Sequence, residues 1–397
     1  MPERGGKRTW VVGALTVAAI GGAMAYYKGR PGPFASSSKA KAEAPSPYNG
    51  STPMATLVAA IKAGDARALA EVFERTTGPD APAPGAVDEA EAPEAIALLG
   101  ALRDGRPRFG DVGQATAMAV AGRVFDRLAI DPAPAAWSEA LPPTQDLLMA
   151  GLGHRDGVVR AATLEVVGRL WNWIPGRTMF RVEERAVGVW KESLYQPVLR
   201  ALAAPDPTTR AAAVACLAAL PIDDAAAPAV AYVADKTSAE VRKRALLGFA
   251  RRASILPDDM ILPRLHDADK LVALVAETVL KGRGLTPDQI ALGRLVFHPD
   301  ALERGSVIPK LAGRTDIDPV LWLLHLSRDP VADVRARAAS ALAHQDAPEA
   351  RARLEALAAS DRSPLVQDVA RRLLRDADAT VSLPPLPGSA NLNPRAN

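Results

Sequence analysis

The chain has 397 residues, 48% of them apolar, with 48 basic and 45 acidic side chains and a net charge of only +3. That length and apolar content allow a large buried core, and the near-balance of charge excludes the dense basic field of a dedicated nucleic-acid binder. The single cysteine, Cys216, excludes an intrachain disulfide and a thiolate metal cluster; among the small apolar residues of AAVACLAAL it reads as a buried, inert thiol.

The first element in chain order is an uncharged run of nineteen residues, 9–27, TWVVGALTVAAIGGAMAYY. As a helix it spans about 28 Å, near the hydrocarbon thickness of a bilayer. Trp10, Tyr26 and Tyr27 mark its ends, and Arg4, Lys7 and Arg8 precede it. Residues 1–28 therefore predict a transmembrane anchor that meets the membrane through residues 9–27, with the repeat domain outside the cytoplasm. Ala23-Met24-Ala25 also fits a cleavage pattern, so the alternative is a signal peptide cut after Ala25 and a secreted or periplasmic product. Residues 29–50, rich in Pro, Ser, Ala and Lys, read as a disordered linker.

Beyond the linker, apolar residues recur at spacings of three and four, and no segment alternates with period two. Residues 51–143 predict divergent helical repeats with a disordered insertion near 78–93, GPDAPAPGAVDEAEAP. From 144 to 376 the helical runs are clearer, as in VRAATLEVVGRLW, VRKRALLGFARR and VQDVARRLLRD. Residues 377–397 read as a disordered tail. Six helix starts share one device: Thr52-Pro53, Asp206-Pro207, Thr286-Pro287, Asp318-Pro319, Asp329-Pro330 and Ser363-Pro364 each set a capping side chain before proline. The side-chain oxygen accepts from an orphan backbone N–H, and proline occupies the first helical position, where no N–H is needed.

Aromatic residues concentrate between 169 and 197: Trp171, Trp173, Phe180, Trp190 and Tyr195. Trp171 and Trp190 continue apolar helical stripes and belong to the core. Trp173, Arg177 and Phe180 border the helix-breaking Pro175-Gly176, and this loop either folds back or presents a recognition site. A second candidate is the basic group Arg242, Lys243, Arg244, Arg251 and Arg252, in which Arg244, Arg251 and Arg252 lie near one side of a helix. Such a ridge suits an anionic partner, although Glu240, Asp258 and Asp259 dilute it.

Four segments align on an arginine: HRDGVVRAATLEVVGRL at Arg160, APDPTTRAAAVACLAAL at Arg210, KTSAEVRKRALLGFA at Arg242 and SRDPVADVRARAASALA at Arg335. Each has a turn carrying Asp or Ser upstream and an apolar stripe downstream. These segments resemble HEAT and HEAT-like repeats of the phycobilisome-lyase type. The resemblance covers about 144–376 and implies an all-α, right-handed solenoid of stacked antiparallel helix pairs. It also implies a structural role for Asp156 with Arg160, Asp206 with Arg210, Arg242, and Asp329 with Arg335. No signature arginine is read between 286 and 316, which leaves the repeat boundaries there open.

No catalytic pattern appears. There is no phosphate-cradling glycine loop, no G-x-S-x-G elbow and no H-E-x-x-H pair. The five histidines stand singly, and paired acids such as Asp223-Asp224 and Asp258-Asp259 sit beside prolines as turn residues. The sequence thus predicts a non-catalytic interaction scaffold, without metal or cofactor, that binds an unidentified protein partner and not nucleic acid. The alternatives are an enzyme on a HEAT-like scaffold, as the resemblance to bilin lyases implies, and a structural spacer of the cell envelope.

Overall fold

The computed structural model describes residues 46–77, 92–130, 134–173, 181–311, 314 and 316–381. Every regular element among them is an α- or 3₁₀-helix. The chain divides into two compact units, one comprising Met1–Val166 with Met179–Leu194 and the other Val167–Thr178 with Tyr195–Asn397. The expected membrane placement is corrected here. No helix among the described residues is long and apolar enough to cross a membrane, and the run at 9–27 lies outside them, so the anchored localisation is withdrawn. The insertion near 78–93 lies almost wholly outside the described residues, as does most of the tail from 377.

The first unit contains α1 (Met54–Lys62), α2 (Ala66–Thr77), α3 (Ala92–Gly105), α4 (Asp111–Ile130) and α5 (Pro134–Leu152). Helices two apart in sequence stack: α3 lies on α1, α5 on α3 and α4 on α2. This follows from the apolar pattern, because a helix with two oily sides must be covered by both a pair-mate and a neighbouring pair. Leu57, Ile61, Leu69, Leu99, Leu102, Met118 and Leu147 fill the shared core, none more than 1% exposed. Two glycines make the geometry possible. Gly64 turns the chain between α1 and α2 at φ +90°, and a Cβ on Gly105 would collide with the Ile61 carbonyl oxygen, so α3 ends hard against α1.

The unit boundary falls within α6 (Gly157–Trp173) and α7 (Arg181–Leu202). The second unit continues with α8 (Pro207–Ala218), α9 (Asp223–Ala226), a 3₁₀ segment Ala227–Ala234, α10 (Ala239–Gly248), α11 (Asp258–Ile261), a 3₁₀ segment Leu262–His266 and α12 (Lys270–Gly282). It ends with α13 (Pro287–Val296), α14 (Ala301–Ser306), α15 (Ile308–Leu311), α16 (Pro319–Leu326), α17 (Ala332–Leu342), α18 (Pro348–Ser360) and α19 (Pro364–Val381). Here too alternate helices stack: α10 on α8, α12 on α10, α17 on α14 and α19 on α17 form one row, with α18 on α16 in the other. Each unit is an all-helical stack of helix pairs.

In two pairs the outer helix is reduced to a single α-turn followed by 3₁₀ structure, 223–234 and 258–266. Pro228 and Pro263 explain the change, since each lacks the N–H that an α-helix would send four residues back. Of the six expected caps, Asp206, Thr286 and Asp318 accept from Thr209, Gln289 and Val320 amides, and Thr286 completes a capping box. Thr52 instead accepts from the Asn49 amide at 3.0 Å, and α1 begins without a side-chain cap. Asp329 binds the Val331 amide at 2.8 Å ahead of a helix that starts two positions later than the proline suggests. Cys216 is buried beside Gly168, and burial drives its thiol pKa well upward.

Candidate functional site

The inner helices of the second unit share a register. The fifth residue of each first turn sends its amide to the cap carbonyl, and these residues are Arg210, Arg242, Ala273, Arg304, Arg335 and Gln367, at intervals of 31 or 32. The spacing is therefore regular where the arginines alone leave it uneven. Arg304 supplies the signature not read between 286 and 316, and it stands four residues after its cap, Asp300, as Arg210 does after Asp206.

Each of these arginines does two things. One nitrogen binds carbonyls of its own turn: Arg210 Nη1 donates to Ala204 and Pro205 at 2.8 and 2.9 Å, Arg304 Nη1 to His298 and Pro299 at 2.8 Å, and Arg335 Nη1 to Asp329 and Pro330 at 2.8 and 3.1 Å. The remaining edge reaches the next pair. Arg242 grips Asp267 at 2.7 and 2.6 Å, Arg304 grips Asp329 at 2.5 and 2.9 Å, and Arg335 grips Asp361 at 2.9 and 2.8 Å. Arg210 meets Asp235 at 3.6 Å and Thr237 Oγ1 at 2.6 Å. Each aspartate also closes its own turn, accepting from Thr237 and Ser238, Asp269, Val331 or Ser363 amides.

Arg242, Arg304 and Arg335 thus each form a bidentate clamp to the next pair, and Arg210 a looser one. The Asp329 carboxylate serves Arg304, and Arg335, with which the sequence pairs it, reaches only its backbone carbonyl. In the first unit Arg160 binds the His154 and Arg155 carbonyls at 2.7 Å, and Asp156 accepts from Val158 and Val159. The clamp pairs are almost dry: Arg335 and Asp361 side chains are 4% and 6% exposed. Hydrogen bonds from Arg335 hold the Asp361 carboxyl below its ordinary value. Burial pushes Asp329 the other way, but Arg304 and the Val331 amide together more than offset it, leaving that carboxyl low as well.

A second set of arginines points backward. Arg252 donates to Asp223 Oδ1 at 2.9 and 2.5 Å and to the Leu220 carbonyl at 2.7 Å. Arg283 binds the Ala250, Leu256 and Phe249 carbonyls and Asp258 Oδ1, all within 3.1 Å. Cations here satisfy the carbonyls left over where the preceding inner helix ends. The basic group read from the sequence is accordingly put to separate uses: Arg252 to this junction, Arg244 to Glu240 at 2.9 Å, Lys243 to the same Glu240 at 2.5 Å, and Arg242 to the forward clamp, with Arg251 exposed in the turn. The aromatic loop is not placed: Arg177 and Phe180 lie outside the described residues, and Trp173 is known only as the last residue of α6. Trp171 is buried, 1% exposed.

What the sequence did not single out is an apolar groove of about 370 Å³ crossing three outer segments, 258–266, α13 and α16. Leu262, Phe297, Leu321 and Trp322 line it, with Asp258, Asp259 and Asp318 beside them. His325 rests against Phe297, ring centroids 4.3 Å apart. Gly293 permits the close approach, because a Cβ there would strike Leu262 and sit 3.7 Å from Trp322. Leu321 is 66% exposed, unusual for a large apolar side chain next to a partly exposed tryptophan. Asp258 is engaged by Arg283 at 2.7 Å, and Asp318 caps α16. Among the described residues no cluster of three or more His, Cys, Asp or Glu side chains is arranged to hold a metal ion.

No family model matches the chain, and no curated protein matches it. Among solved structures it is similar to one of the Pds5–Scc1 complex, discussed there for cohesin function, with 10% identity and a TM-score of 0.29 over 82% of this chain and 62% of that one. The chain thus spans less than two thirds of that protein, and likeness at this level carries no argument about function. The repeat architecture rests on the stacked helices and the clamps.

Proposed function

We propose that the chain is a non-catalytic scaffold of HEAT-like repeats that takes an apolar, aromatic-anchored segment of a protein partner into the groove between 258–266, α13 and α16. The observation that carries this reading is the groove itself. Apolar side chains from three consecutive pairs, including Trp322 and the exposed Leu321, are brought to one open surface, where burial of an anchor side chain contributes most to association. Charge supports it further, since Asp259 and Asp318 on an arginine- and lysine-free lining favour a segment with basic residues flanking its anchor. Against catalysis stands the use of the polar groups: Asp258 is held by Arg283 and Asp318 by the α16 amide, so neither is a desolvated acid awaiting a substrate.

The test is site-directed photo-crosslinking in the native cell, with the crosslinking residue in place of Leu321. A discrete protein adduct that disappears with Trp322→Ala, while a crosslinker at exposed Leu302 on the other row gives none, is the expected result. Adducts at Leu321 that are indifferent to Trp322→Ala, or none at all, would refute the groove as the binding surface.

A further inference from the structure

Further along the second unit, the junction of α16, α17, α18 and the turn before α19 forms an open cleft of about 350 Å³ whose chemistry is the reverse of the groove. Four arginines line it, Arg328, Arg335, Arg353 and Arg362, against two carboxylates, Asp329 and Asp361. Both carboxylates are already committed, Asp329 to Arg304 and Asp361 to Arg335. Of the lining arginines only Arg335 therefore has a carboxylate in return.

The other three carry unused donors. Arg353 spends Nε and Nη2 on the Ser327 hydroxyl and carbonyl, both at 2.7 Å, with no described bond to Nη1. Arg362 gives Nη2 to the Pro330 carbonyl at 2.5 Å. Arg328 is exposed, and its guanidinium has no hydrogen bond or ion pair among the described residues. Neutral acceptors fix the orientation of Arg353 and Arg362 without cancelling their charge. Burial and the nearby Arg328 charge lower the Arg353 pKa, Asp361 raises it and Arg335 lowers it further, so the group stays below its ordinary value.

We infer that this cleft is a phosphate-binding site, in which Arg328, Arg353 and Arg362 converge on one tetrahedral oxyanion. A phosphate suits it better than a single carboxylate, because near −2 charge and three equivalent acceptor oxygens match several guanidinium forks at once. The rigid clamp Arg335–Asp361 forms the floor and holds the α17 and α19 turns, so the site is pre-shaped by the repeat junction itself. The inference is independent of the apolar groove. Its phosphate comes either from solution or from a phosphorylated side chain on another protein, and the experiment separates the two.

The full chain is titrated with sodium phosphate, with sodium chloride at matched ionic strength, and with a phosphoserine-containing peptide and its unphosphorylated twin, following the melting midpoint and isothermal heats. Phosphate should raise the midpoint where chloride does not. The double variant Arg328→Gln/Arg362→Gln removes two exposed side chains outside the clamp and should weaken phosphate binding at least about tenfold per arginine. Arg371→Gln, on α19 beyond the cleft, should leave it unchanged. Tighter binding of the phosphopeptide than of free phosphate assigns the site to a modified protein, and equal binding assigns it to the free anion. An equal response to chloride, or a phosphate response that survives the double variant, overturns the proposal.

Discussion

Position 273 is alanine where the register would set an arginine, and position 298, twenty-five residues on as Asp267 is from Arg242, is histidine where an aspartate would receive it. Both halves of one clamp are thus missing together. Electrostatics explains why they go as a pair: a buried guanidinium or carboxylate left without its partner costs about 3–5 kcal/mol, whereas exchanging both for other well-packed groups is close to neutral. His298 fills the place in another way, accepting the Asp300 amide through Nδ1 at 3.1 Å and meeting the edge of His266 with ring centroids 5.1 Å apart. The clamp should therefore be restorable. Ala273→Arg and His298→Asp are each expected to destabilise the chain, while the double variant shows a favourable coupling of about 1–3 kcal/mol in a double-mutant cycle of denaturant unfolding. The sign of its pH dependence follows from Asp361, whose carboxyl Arg335 holds below the ordinary value. A depressed folded-state pKa means the coupling is fully present above about pH 4 and fades as pH falls through the folded-state value. Simple additivity at neutral pH would mean that the register does not carry the clamp geometry.

At the scale of the element, close approach matters more than the oily stripe. Gly105 and Gly100 lie on the same helix, α3, yet a Cβ at Gly105 would strike the Ile61 carbonyl, whereas Gly100 has nothing within 4 Å. Gly105→Ala should thus destabilise by about 1–3 kcal/mol through forced separation of α3 from α1, and Gly100→Ala should stabilise by about 0.5–1 kcal/mol through helix propensity. Equal effects in chemical denaturation would show that α1 yields at no cost. Such contrasts mark the limit of what could be read from the chain. Helical periodicity, the caps at Asp206, Thr286 and Asp318 and the signature arginines were legible, because each is a local pattern of a few residues. Arg304 escaped because its helix, ALERGS, is only six residues long and carries no apolar stripe. The forward partners Asp235, Asp267 and Asp361 escaped because nothing near each arginine names a carboxylate some 25 residues away. Leu262, Phe297 and Trp322 of the groove come from three pairs, each unremarkable in its own helix.

For the second unit as a whole, every fastening described here links a pair to its immediate neighbour: the clamps run forward one pair, Arg252 and Arg283 reach back one, and the helix stacking does the same. Stability in such a stack is a sum of local terms and neighbour interfaces, so a wound should spread only as far as its neighbours before its effect fades. Leu342, at the end of α17, is fully buried in the core shared by α14, α16, α18 and α19. Leu342→Ala should cost about 2–5 kcal/mol locally, and native-state hydrogen exchange read peptide by peptide shows where that loss falls. Amides of α16 to α19 should exchange faster, those of α14 somewhat less so, and those of α8 and α10 at their original rate. Uniform acceleration from α8 to α19 would show instead that the unit opens as a single cooperative body, and that the pairwise clamps do not confine its response.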